Sequence, residues 1–229
     1  MKRFFFKSRK LKTSMATMLA AIVVLISCNK PFPDTLENEY SEEPVKAVER
    51  KVLLIVVDGA VGSEVKAAMP PTLNSLMDFS IFSWDGLNES KNNKVTNPLA
   101  WTTLLTGANS NKHNVTGDDF STYAAGNYPS LFTRLKQEKP NLRTAAFSAS
   151  PDLATCLAAD ATVKNSFAGN DAAVKEAAKT ELQTNDAALV MAQFNDVDKA
   201  GANTSYTINS AEYKAAILRV DGYIGEILA

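Results

Sequence analysis

Lys51-Val-Leu-Leu-Ile-Val-Val57 runs without a polar interruption into Asp58-Gly59, and Ala187-Ala-Leu-Val-Met-Ala-Gln-Phe194 repeats the pattern before Asn195-Asp196. Short apolar runs of this length, rich in branched side chains, read as strands buried on both faces of a parallel sheet. Helical and strand signals alternate around them. Pro71–Met77, Pro98–Thr106, Ser130–Lys136 and Asp171–Leu182 read as helices, with Gly107 and Pro140 as stops. Ser80–Trp84 and Arg143–Phe147 read as further short strands. A last helix starts at Ser210, where Tyr213, Ile217, Val220, Ile224 and Ile227 fall three or four apart on one apolar face. This order predicts an α/β fold: a doubly wound, mostly parallel sheet with helices on both faces, over residues 51–229. The last residues stop within a helical pattern with no capping signal, so the sequence reads either as the N-terminal part of a longer domain or as ending in a frayed helix.

Upstream of that domain the composition changes twice. Residues 1–12 carry six basic side chains and no acid, and Met15 to Ile26 is uncharged. Leu25-Ile26-Ser27-Cys28 follows. A basic start, a short apolar run and a small residue before the cut describe a secretory signal, and the run is too short for a membrane span. Leu-x-Ser-Cys resembles the bacterial lipobox, which implies lipidation of Cys28 after removal of residues 1–27. The expected location is the bacterial cell envelope, held at the membrane by acyl chains. Residues 28–50 are acidic and proline-containing with few bulky apolar side chains, the composition of a tether.

The chain has 229 residues and a net charge of −1, and the six basic charges of the leader leave −7 on the remainder. Such an acidic body argues against nucleic-acid binding by charge. One histidine, His113, excludes a multi-histidine metal site, and two cysteines exclude a four-cysteine site or a disulfide framework. Cys156, with no histidine near it in sequence, reads as a buried structural thiol.

In open parallel sheets ligands sit beyond the carboxyl ends of the strands. Asp58 ends the first strand, and Asp196 and Asp198 follow the strand that closes at Phe194. Thr96 precedes the helix opened by Pro98, near its positive end and its free amides. A hydroxyl there is suited either to capping the helix or to binding and attacking a phosphoryl group. Paired carboxylates that hold a divalent cation would activate it.

The ordered set Val-Val-Asp58-Gly, Val-Thr96-Asn-Pro-Leu-Ala-Trp-Thr-Thr-Leu-Leu-Thr-Gly107, Asn-Lys-His113-Asn-Val and Asn195-Asp-Val-Asp198-Lys-Ala-Gly201 resembles the opening half of the alkaline phosphatase superfamily, in its type I phosphodiesterase/nucleotide pyrophosphatase branch. The resemblance implies a two-metal phosphoesterase, usually with zinc, acting on a small-molecule phosphate ester. It implies Thr96 as nucleophile and metal contact, Asp58 as a ligand of the same metal, and Asp198 as a ligand of the other. His113 falls in a loop that holds no metal ligand, so it reads as structural.

Three departures stand beside the resemblance. The histidine that follows Asp-x-x-Gly in the family is Ala202 here, and Lys199 adds a positive charge beside the expected cation. The stretch from the nucleophile to Gly107 is one residue longer, so strict register falls on Asn97, which has no hydroxyl. The family's later Asp-His pair and last histidine would lie beyond residue 229. Two readings therefore stay open: a fragment of a lipid-anchored metal-dependent phosphodiesterase-like hydrolase, or a catalytically degenerate surface lipoprotein of the same fold that binds a ligand or glycan.

Overall fold

The computed structural model describes residues 51–86 and 95–229. The signal segment, Cys28 and the tether lie outside the described residues. Four strands form one all-parallel sheet in the order β1-β4-β2-β3. β1 is Val52–Val57, β2 Thr144–Ser148, β3 Val163–Ser166 and β4 Leu189–Phe194. β4 lies between β1 and β2, with Val52 opposite Leu189 on one side and Thr144 opposite Leu189 on the other.

Alternation along the strands sends side chains to two cores. Leu54, Val56, Ala146, Leu189 and Met191 face one, built with Trp101, Leu105, Phe132 and Leu153. Those partners come from α3 (Asn97–Thr106), α5 (Leu131–Glu138) and α6 (Pro151–Cys156). Ile55, Val57, Val190, Ala192 and Phe194 face the other. There they meet α7 (Asp171–Thr184), α8 (Asp196–Asn203) and α9 (Ala211–Leu228), through side chains such as Val174, Val197 and Ile217. Helices on both faces of a parallel sheet are the doubly wound architecture expected from the sequence. All five residues of the predicted apolar stripe on α9 are buried. Each is worth roughly 1.5–3 kcal/mol of burial.

Local signals explain most boundaries. Ser130 caps α5 and Ser210 caps α9, each accepting a bond from the backbone N–H three residues on. α3 carries Pro98 in its first turn and ends at Gly107 in the left-handed conformation. Two short helices precede it, α1 (Gly62–Ala68) and α2 (Pro71–Leu76), and a one-turn α4 (Ser110–His113) follows. The start of α2 is held from a distance: the buried Asp221 carboxylate of α9 accepts from Thr72 N (2.9 Å) and Leu73 N (2.8 Å).

Three expectations are corrected. Ser80–Trp84 is not a strand; no strand lies beside it among the described residues, and strand preference without a ladder does not make one. It leaves Ile81 exposed and Phe82 half-exposed, while Trp84 packs on the second core. β1 is only half-buried, because it is an edge strand among the described residues, while β4 is buried throughout. Cys156 is an exposed free thiol at the end of α6, where the inward positions go to Leu153 and Leu157. Asp198, expected after β4, sits in the first turn of the helix that follows it. Among the described residues no helix is long and apolar enough to cross a membrane.

Candidate functional site

The site lies beyond the carboxyl ends of β1 and β4. Asp58 follows β1 and extends its ladder by one bond, its N–H donating to Phe194 O at 3.0 Å. Gly59 then turns the chain with φ +71°. The turn lets β1 and α8 approach so closely that a Cβ on Gly59 would fall 2.5 Å from the Asp198 Cα. Absence of a side chain at Gly59 is what brings Asp58 and Asp198 to one cavity.

α8 is aimed by another buried acid. Asp171 of α7 accepts from the backbone N–H groups of Asn195 (2.9 Å) and Asp196 (2.9 Å), satisfying free donors at the start of the helix. Burial pushes the Asp171 carboxyl up, against those two bonds.

Each carboxylate of the site is held by two side-chain donors. Asp58 Oδ1 accepts from Trp101 Nε1 at 2.8 Å and Oδ2 from Gln193 Nε2 at 2.7 Å. Asp198 Oδ2 accepts from Asn97 Nδ2 at 3.0 Å and Oδ1 from the Tyr206 hydroxyl at 2.7 Å. Burial raises the Asp58 carboxyl to about 6; bonds from Trp101 and Gln193 pull it down and the Asp198 charge adds to the rise. Burial, then the bond to Asp198, pushes the Tyr206 phenol up to about 12, so it stays a donor. Gly201 makes room for the Tyr206 ring, which a Cβ there would overlap.

These groups border a cavity of about 610 Å³ with Asp58, Asn97 and Asp198 among its polar residues and Val61, Leu104 and Tyr206 among its apolar ones. On α3 the lining residues Asn97, Ala100, Trp101 and Leu104 recur at the three-and-four spacing of one helix face. Thr96 is not on that face. Its hydroxyl accepts from Leu99 N at 3.4 Å and donates to Gly117 O at 2.5 Å. It caps α3 and ties down the loop beyond α4, while Asn97 takes the place at the cavity. Thr96→Ala is expected to cost about 1 kcal/mol, the worth of a lost cap, measured by urea unfolding.

The charges beside the site also differ from expectation. Lys199 points away from the cavity: its ammonium donates to Gly169 O at 2.8 Å and lies 3.9 Å from Asp196. Asp196 pairs with Arg219 at 3.2 Å and does not line the cavity. Among the described residues, no lysine or arginine lines it. His113 is buried and structural: its Nδ1 accepts from Val115 N at 3.1 Å, and Nε2 lies 3.0 Å from Thr103 Oγ1.

The donor set does not fit a metal. Among the described residues no group of three His, Cys, Asp or Glu side chains could hold an ion, and Ala202 offers no donor atom. A catalytic zinc takes three protein ligands. Here each carboxylate oxygen is already engaged by an N–H or O–H.

Of these residues, sequence reasoning singled out Asp58 and Asp198 and missed Trp101, Gln193, Tyr206 and Asp171. Two signals were present. Gln193 is the one polar residue inside an apolar strand, and Trp101 follows Asn97 by four on a helix.

No family model matches the sequence, and no curated protein matches it. Solved structures do match in fold. Phosphonoacetate hydrolase from Sinorhizobium meliloti 1021, in complex with phosphonoformate, superposes with a TM-score of 0.55 at 13% identity, covering 78% of this chain and 53% of that one. Murine ectonucleotide pyrophosphatase/phosphodiesterase 5, an inactive variant in complex with AMP, gives 0.54 at 16% identity, covering 78% and 51%. The chain thus spans about half the length of the structures it matches. With its four parallel strands, its flanking helices and these neighbours, the chain has the fold of the alkaline phosphatase superfamily, over the part that these 229 residues span.

Proposed function

We propose that this chain is a lipid-anchored, non-hydrolytic member of that fold, in which the cavity at Asp58 and Asp198 binds a small molecule instead of cleaving it. One observation carries the reading: every carboxylate oxygen of the site accepts a side-chain hydrogen bond, and the residue facing the cavity from the start of α3 is Asn97, which has no nucleophilic oxygen. Two carboxylates, each already held by two donors, fall short of the three protein ligands that a catalytic zinc takes. Without a cation, two carboxylates also oppose the charge that builds on a phosphoryl group in transfer.

The hydrolase reading has its own support. Asp58 and Asp198 share one cavity, and the neighbours of the same fold were solved with phosphonoformate and AMP. Under it, Thr96 would have to exchange its bond to Gly117 O for the cavity. The two readings separate when the 229-residue chain and a longer protein that contains it are assayed side by side. Zinc titration by calorimetry, followed by an aryl phosphodiester assay, is expected to show no stoichiometric zinc and no turnover above background. Zinc-dependent turnover that disappears in Thr96→Ala would overturn the proposal and establish Thr96 as nucleophile.

The anchor is a separate expectation. Cys28→Ala should release the protein from the membrane fraction or block processing, read by cell fractionation. A variant retained and processed normally would remove the lipobox reading.

A further inference from the structure

We infer that the cavity takes the ring of a neutral or amino sugar, its hydroxyls donating to Asp58, Asp198 and Asn97 and one ring face lying on Tyr206. The inference rests on the metal-free reading above and specifies the ligand of that site.

The polar part of the cavity is rich in acceptors. Each carboxylate oxygen carries one protein donor and keeps a second lone pair, and the Asn97 side-chain oxygen adds a further acceptor. A ligand must therefore bring donors. Adjacent hydroxyls on a ring match a carboxylate in pairs, through charge-assisted bonds.

Charge excludes the opposite class. Among the described residues, two carboxylates and no lysine or arginine face the ligand. An anionic group placed beside either carboxylate is repelled by its charge. The start of α3 offers about half a positive charge, too little to offset two carboxylates.

Shape supplies the third argument. A volume of about 610 Å³ is in the range of small-molecule sites and admits at least one sugar ring. Tyr206 is 42% exposed yet fixed on three sides. Its hydroxyl bonds Asp198, its ring lies over Gly201, and it meets Tyr213 edge-on at 5.9 Å and 72°. A rigid aromatic face beside polar acceptors binds an amphipathic ring at little entropic cost.

The test is saturation-transfer NMR and calorimetry on the 229-residue chain in EDTA. The probes are maltoheptaose, cellohexaose, xylohexaose, mannohexaose, chitosan hexamer, oligogalacturonate and AMP. At least one neutral or amino oligosaccharide should bind, while oligogalacturonate and AMP do not. Tyr206→Ala should weaken that binding about tenfold or more, as for an aromatic anchor, and Asp198→Asn should weaken it too. Unfolding curves report whether either variant is folded, and Tyr206→Phe, which keeps the ring, should retain part of the affinity. Failure of every neutral and amino sugar would overturn the inference. So would tighter binding of AMP or oligogalacturonate, or affinity unchanged in Tyr206→Ala and Asp198→Asn alike. A silent panel with no zinc-dependent turnover removes the sugar alone, whereas zinc-dependent turnover removes the non-hydrolytic reading with it.

Discussion

Gly59→Ala is expected to destabilise the protein by about 2–5 kcal/mol, as the sum of two costs. Gly59 has φ +71°, a conformation that costs a non-glycine residue roughly 1–2 kcal/mol. Its new Cβ would also fall 2.5 Å from the Asp198 Cα and 2.9 Å from the Asp198 N. Those are backbone atoms in the first turn of α8, so relief requires moving the helix off β1, an overpacking cost of about 1–3 kcal/mol. Gly107→Ala is the matched control. Its φ is +66°, but nothing lies within 4 Å of the new Cβ, so only the conformational part, about 1–2 kcal/mol, applies. Urea unfolding of the two variants measures the difference. Equal losses would mean that β1 and α8 are not in such close contact. The same displacement would part Asp58 from Asp198, so Gly59→Ala should lose ligand binding where Gly107→Ala keeps it.

The second large effect is on the pH dependence of stability. The Asp58 carboxyl titrates at about 6 in the folded chain, against 3.8 as its ordinary value. Between those values the folded state holds a proton that the unfolded state has released, so stability falls as pH rises. The contribution is fully present below about pH 4 and gone above about pH 6, and it amounts to about 3 kcal/mol. Asp171, also raised by burial, acts in the same direction. Asp58→Asn separates the two, since the slope it removes belongs to Asp58. At pH 4.5, where the folded chain holds Asp58 mostly protonated, the variant also loses stability. Gln193 Oε1 is committed to Ser148 Oγ (2.5 Å) and Ser150 N (3.1 Å), so its Nε2 must face the new amide N–H groups if Oδ1 keeps its bond from Trp101. That mismatch costs about 1–3 kcal/mol. Urea midpoints at pH 4.5 and 7.5, in EDTA, compare the slopes. Parallel slopes in the wild type and Asp58→Asn would show that Asp58 is not raised.

What the amino-acid order by itself determined was set by local patterns. The apolar runs at Val52–Val57 and Leu189–Phe194 have the length and branched side chains of buried strands, and the stripe along α9 has the helical period. Parallel strands of one sheet end on the same edge, so strand order alone assigns Asp58 and Asp198 to a common edge. Tertiary structure decided everything that depends on direction. One residue along a helix turns a side chain by about 100°, which is why Thr96 caps α3 while Asn97 faces the cavity. Lys199 follows Asp198 directly, and the same turn carries it out to Gly169. Tyr206 and Gln193 reach the site through contacts no local pattern encodes: a ring over Gly201 toward Asp198, and a strand amide facing Asp58 from 135 residues away in sequence. Ser80–Trp84 has the composition of a strand, but a strand is made by its neighbours, and among the described residues none lies beside it.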